Sequence, residues 1–144
     1  MIENPDLELT KKLLAKEKSP KIVRAQNQKY NRAILEYGKF DIFLANLKRK
    51  KHDTLKYLDL DLDKVSAKLA SKKNISYCID LKELRSLQLE ELSKELARLK
   101  ETIKICKKTK TPIALLNASD KYNAKALLLS LGASTQQTAK ALIF

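Results

Sequence analysis

The sequence predicts an α/β fold in which strands and helices alternate along the chain around a parallel sheet. Four short apolar runs are each followed by a stretch with apolar residues at spacings of three and four, the period of a helix packed on one face. Two glycines and three prolines in 144 residues are too few for a turn-rich all-β architecture. The apolar fraction of 44% argues against disorder. A domain of this size buries roughly 70% of the surface its unfolded chain exposes, so one core suffices. A single domain is expected over residues 1–144, with an N-terminal helix segment at 1–19 and alternating β/α units at 20–144.

Asn4-Pro5-Asp6 reads as a helix start, with Asn4 as N-cap and Pro5 at the first helical position, where a missing N–H costs nothing. This helix should run to about Glu17, and Ser19-Pro20 breaks it. Ile22 to Ala25 is the first strand, carrying a β-branched pair. Asn27 caps the next helix, in which Tyr30, Ala33, Ile34 and Tyr37 share a face before Gly38 stops it. Phe40 to Leu44 is the second strand. A basic loop follows, Lys48-Arg49-Lys50-Lys51-His52-Asp53, and then a helix with Leu62, Val65, Leu69 and Ala70 on one face.

Ile75 to Ile79 is the third strand, and Asp80 with Glu83 three residues on is the pattern of a reciprocal N-terminal cap. Beyond it, Leu89, Leu92, Leu96, Leu99, Ile103 and Cys106 form an apolar stripe, with Lys94, Arg98, Glu101, Lys104 and Lys108 expected mostly to face away. Pro112 to Leu116 is the fourth strand. Ala124 to Leu131 is a helix closed by Gly132, and Ser134 with Gln137 opens a last short helix before Ala141 to Phe144. Alternation of this kind implies parallel strands joined by right-handed crossovers. Four or five strands cannot close an eight-stranded barrel, so the expected form is an open sheet or a partial, TIM-barrel-like one.

Thirty Lys and Arg against seventeen Asp and Glu leave a formal charge of +13, enough to attract polyanions. The excess is local. Residues 21–56 carry ten positive and three negative side chains, whereas residues 1–20 balance at four and four. No apolar run reaches the length needed to span a bilayer, and the N-terminus lacks a charged start with an apolar secretory core, so no membrane partner and a cytoplasmic location are expected. Cys78 and Cys106 fall in apolar surroundings, where cysteine behaves as a small hydrophobe.

Function in parallel α/β folds gathers at the C-terminal ends of the strands, here Gln26, Asn46, Asp80 and Asn117. Asn27, Asp80 and Ser119 or Asp120 also stand where each following helix needs its cap, and that structural reading outweighs catalysis. One histidine, His52, is too few for a hydrolytic metal centre. The Asp59, Asp61, Asp63 run lacks the glycine and distal glutamate of a calcium loop and reads as a solvated helix start. No glycine-rich phosphate loop and no nucleophile elbow is present, so neither catalytic nor metal-binding residues are assigned. The strongest local signal is the basic run at 48–51, with Lys29, Arg32 and Lys39 just upstream, since consecutive cations in a loop can each reach a phosphate. Lys107, Lys108 and Lys110 are ambiguous, because a helix C-terminus favours cations by its dipole alone.

Several stretches together resemble ribonuclease P protein component 3, the barrel-like subunit family shared by archaeal and eukaryotic ribonuclease P. Val23-Arg24-Ala25-Gln26, Asn31-Arg32-Ala33-Ile34-Leu35 and Phe40-Asp41-Ile42 are similar to the family's V-R-x-x, N-R-x-x-x-E and V-D-I-L segments. Lys51-His52-Asp53 resembles its basic-Asp pair, and Val65 to Ala70 its L-A-K-L-A helix. Ile75 to Leu81, Ile113 to Asn117, and Leu127 to Ala133 with Ala139 resemble the later strands and the L-x-x-L-G helix. Where the family commonly has Gly-Leu-Asn-His, this chain has Asp61-Leu62-Asp63-Lys64, so no role of that Asn and His carries over. Family members are usually longer, with an N-terminal section supplying the first barrel strands.

The resemblance implies a shortened, archaeal-type and non-catalytic subunit of an endoribonuclease, a ribonucleoprotein that removes 5′ leaders from precursor tRNA in tRNA processing. Within it the RNA holds the active site and magnesium serves the RNA, with no cofactor bound by this chain. Implied partners are ribonuclease P RNA, ribonuclease P protein component 2, precursor tRNA within the complex, and a second copy of this chain in a heterotetramer. RNA-binding is expected through Lys29, Arg32, Lys48, Arg49, Lys50 and Lys51. Two rival readings are a small phosphoesterase-like α/β enzyme using Asp80, and a basic protein-interaction module.

Overall fold

The computed structural model describes residues 1–144, with strands and helices alternating as α1 (Leu7–Lys16), β1 (Ile22–Arg24), α2 (Gln28–Tyr37), β2 (Ile42–Leu44), α3 (Lys64–Lys72), β3 (Ser76–Asp80), α4 (Leu81–Arg85), α5 (Leu89–Thr109), β4 (Ile113–Leu116), α6 (Lys121–Ser130), α7 (Thr135–Lys140) and β5 (Leu142–Ile143). The five strands form one sheet in the order β1-β2-β3-β4-β5, and each adjacent pair is parallel. Sequential order with right-handed crossovers winds the helices onto one face, as in barrels, and does not split them between two faces.

The side chains follow this winding. Alternate residues of a strand point to opposite faces. Val23, Phe43, Tyr77 and Ile113 stand in register and join the main core with Leu14 of α1, Ile34 of α2, Ala67 of α3, Leu99 and Ile103 of α5, and Leu128 of α6. On the other face Ile42, Leu44, Cys78 and Ala114 make a smaller cluster with Ile22 and Leu116. Cys78 and Cys106 are buried and unpaired, and burial pushes each thiol up to about 12, so both act as small hydrophobes.

Several caps lie where local chemistry places them. The Asn27 side chain accepts the Tyr30 N–H, and Gly38 closes α2 in the left-handed conformation at φ 66°. Ser134 and Gln137 form the full reciprocal box at the start of α7. At α1 the cap lies two residues later than expected. Asn4 accepts the Asp6 N–H instead, and Asp6 accepts from Glu8 and Leu9. Thr10 Oγ1 lies 2.9 Å from Tyr30 Oη and Leu14 is buried, so α1 docks on α2. Ile2 forms a parallel bridge with Val23 and covers the β1 edge.

Four expectations need correction. Leu142–Ile143, left without a strand assignment, pairs with Ala114 and Leu115 as β5, a strand too short to show a period. The helical stretch after Asp80 is two helices, because the chain breaks at Ser86–Gln88. On α5, Leu89 is exposed whereas Arg98 and Glu95 face inward. Val65 of α3 is likewise exposed.

Candidate nucleic-acid interface

The loop from Ala45 to Asp63 joins the C-terminal end of β2 to α3 and carries the basic run. Its base is fixed by buried polar groups. Asn46 donates its backbone N–H to Asp61 Oδ2 at 2.8 Å and its side-chain amide to the Ala25 carbonyl at 2.9 Å. Asn31 of α2 accepts the Gln26 N–H at 2.7 Å and donates to the carbonyls of Gln26 and Asp61. Both side chains satisfy backbone groups that would otherwise be buried unpaired, at a cost of about 1–3 kcal/mol each.

Within this frame the basic run divides. Arg49 forks onto Asp59 through Nη1 and Nη2 at 3.1 and 3.0 Å and donates Nε to Asp61 at 3.0 Å. Burial opposes its charge, but the hydrogen bonds with Asp59 and the field of Asp61 prevail and raise its pKa. Lys51 Nζ lies 3.0 and 2.8 Å from the two oxygens of Glu95 and 3.8 Å from Asp61. Arg98 completes the chain, binding Glu95 at 2.7 Å and Asp53 at 2.6 Å. Three cations, Arg49, Lys51 and Arg98, thus meet four carboxylates, Asp53, Asp59, Asp61 and Glu95, for a net charge of −1.

Arg49 and Lys51, expected among the phosphate contacts, are therefore held inside the protein by their own carboxylates. The Asp59, Asp61, Asp63 run is likewise not one solvated helix start. Asp63 caps α3 by accepting the Ser66 N–H, while the side chain of Asp61 is 2% exposed. Of the expected contacts, Lys48 and Lys50 in the loop and Lys29 and Arg32 on α2 remain in solvent, with Arg32 in a loose 3.4 Å pair with Asp63. The structural roles of Asn31, Asp61 and Glu95 escaped sequence reasoning. For Asp61 the carboxylates flanking the basic run are a sequence signal; Asn31 and Glu95 lie too far along the chain to give one.

The strand ends carry a second polar group. Arg24 on β1 pairs with Glu83 of α4 through Nη2 and with Glu3 through Nη1 at 3.2 Å. Burial raises the Glu83 pKa although Arg24 and Lys48 pull it down, and its Oε1 and the Arg24 Nε have no partner. Asp80 Oδ1 accepts the N–H groups of Lys82 and Glu83 and the side-chain amide of Asn117 at 2.8 Å. Oδ1 thus serves as the cap of α4 and holds Asn117. No group of three His, Cys, Asp or Glu side chains converges with metal-holding geometry.

These features define a singly wound parallel α/β protein whose solvent-facing charge is cationic and whose strand-end acids serve helix caps and ion pairs. No protein-family model matches the sequence, and no curated protein does. Among solved structures, it is similar to a chain in a cryo-EM structure of archaeal ribonuclease P with mature tRNA, with a TM-score of 0.73 and 21% sequence identity. The match covers 97% of this chain and 60% of that one, so this chain spans somewhat under two thirds of the neighbour's length.

Proposed function

We propose that the protein is a subunit of ribonuclease P that binds and stabilises the catalytic RNA for 5′-leader removal from precursor tRNA. The observation that carries this reading is the likeness of nearly the whole chain to a chain of an archaeal ribonuclease P complex. The charge of +13 supports it, because the buried ion network is close to neutral and leaves the surplus on exposed side chains. Lys29, Arg32, Lys48 and Lys50 contact phosphates, while Arg49 and Lys51 hold the loop that presents two of them. Such contacts position a protein on RNA without reading bases. Component 2 is the protein partner, and magnesium belongs to the RNA.

Purification of the tagged chain from its native host tests this. Ribonuclease P RNA and precursor-tRNA cleavage should accompany it through a high-stringency wash. Recovery of the chain free of that RNA, with cleavage activity in other fractions, would overturn the proposal.

A further inference from the structure

At the opposite end of the sheet from the basic loop, a groove of about 740 Å3 opens between the end of α5, the start of β4 and α7. Lys107, Lys110 and Lys140 line it, from the last turn of α5, the residue just beyond that helix and the last turn of α7. All three are exposed, none takes part in an ion pair, and no carboxylate lines the groove. The contrast with Arg49 and Lys51 is direct. There cations are neutralised by the fold; here they are left open.

The polar groups of the groove divide by task. Gln137 is spent on Ser134 and the Ile103 carbonyl, and Thr111 on the Ala67 carbonyl, so these fix the walls. Thr135 and Gln136 are exposed and make no side-chain hydrogen bond within the protein, leaving neutral donors beside the lysines. The helix dipoles favour cations at the ends of α5 and α7, Lys110 included. They do not dictate a lysine at Lys110, whose φ 58° and ψ 37° suit Gly or Asn better. Ser71 Oγ of α3 donates to the Lys110 carbonyl at 3.3 Å and ties this residue to the neighbouring helix.

We propose that this groove binds backbone phosphates of RNA, a second contact independent of Lys48 and Lys50. It rests on the RNA-binding reading above and adds a site to it. Lysine is a point charge with rotatable donors, suited to successive phosphates and indifferent to base sequence. A four-residue strand such as β4 rises about 13 Å, so the groove at the start of the strands and the basic loop at their ends reach different phosphates.

The test uses the full chain and a folded RNA stem-loop as probe, with affinity followed over a salt series. Replacing Lys107, Lys110 and Lys140 together by Ala should flatten the log–log salt slope by roughly 2 to 3, at about 0.7–0.9 per phosphate contact. Replacing all three by Arg should restore it. Lysine acetylation footprinting of the wild-type chain needs no variant, and the three residues should be protected by the stem-loop but not by polyglutamate or inorganic phosphate. An unchanged slope in a folded Ala variant, or equal protection by polyglutamate or phosphate, would overturn the groove assignment while RNA binding by the wild type stands. Wild-type protein with no affinity for the stem-loop would overturn both.

Discussion

Lys51 Nζ sits between both carboxylate oxygens of Glu95, at 3.0 and 2.8 Å, with each side chain only 4% exposed. The two residues lie 44 positions apart, so this pair fastens the β2–α3 loop to α5. Removing one partner of a buried pair leaves an uncompensated charge. Glu95→Ala should therefore destabilise the protein by about 3–5 kcal/mol, since Lys51 and Arg98 both lose a partner. Urea denaturation should show a lower midpoint with an unchanged slope. A midpoint within error of wild type would show that the network does not hold the loop.

The division of the basic run gives a second expectation. Lys48→Ala with Lys50→Ala should leave the urea midpoint nearly unchanged, because both side chains are exposed, and should flatten the log–log salt slope for RNA by about 1.4–1.8. Arg49→Ala should do the reverse, lowering stability through loss of its fork to Asp59 and Asp61 while leaving the slope of the folded fraction in place. A larger slope change for Arg49→Ala than for the double variant would return Arg49 to the phosphate contacts.

The network also sets a pH dependence. Hydrogen bonds from Arg98 hold the Asp53 carboxyl below its usual range; for Asp59, burial pushes the other way but hydrogen bonds from Arg49 and the His52 N–H prevail and lower it. A depressed carboxyl stabilises the fold above its unfolded pKa of about 4, and that contribution is lost as pH falls through the folded value. Glu83 has the opposite sign. Burial raises its pKa, so its contribution is present below the usual carboxylate pKa and is lost as pH rises through the raised value. In urea midpoints recorded against pH, Asp59→Asn should weaken the acid limb and Glu83→Gln should flatten the decline on the alkaline side of pH 4. Parallel profiles for wild type and both variants would remove these groups from the linkage.

The parts of the fold legible in the sequence are those set by near neighbours. Asn27, Gly38 and the Ser134 and Gln137 box act within four residues, and the strand and helix periods are equally local. Arg98 reads as solvent-facing because its partner Asp53 lies 45 residues away, and Arg49 reads as free because a basic run hides its dependence on Asp59 and Asp61. β5 is invisible alone, since two residues become a strand only through pairing with β4. Charge composition is legible in the sequence as a total. Which charges reach solvent depends on tertiary pairing.

The last prediction separates a scaffold from an enzyme at the strand ends. Asp80 is the carboxylate that a phosphoesterase-like mechanism would use, yet its Oδ1 accepts from Lys82, Glu83 and Asn117. Asn is about as good an N-cap as Asp, so Asp80→Asn should keep α4 in place while abolishing any role as a base. In a reconstitution with ribonuclease P RNA and component 2, this variant should cleave precursor tRNA nearly as well as wild type. Lys48→Ala with Lys50→Ala should weaken cleavage mainly at low magnesium, where fixed positive charge on the protein does most to reduce repulsion between RNA segments. The protein alone should show no cleavage. RNA-free cleavage that survives stringent purification and vanishes in Asp80→Asn would overturn the scaffold reading and assign the chemistry to this chain.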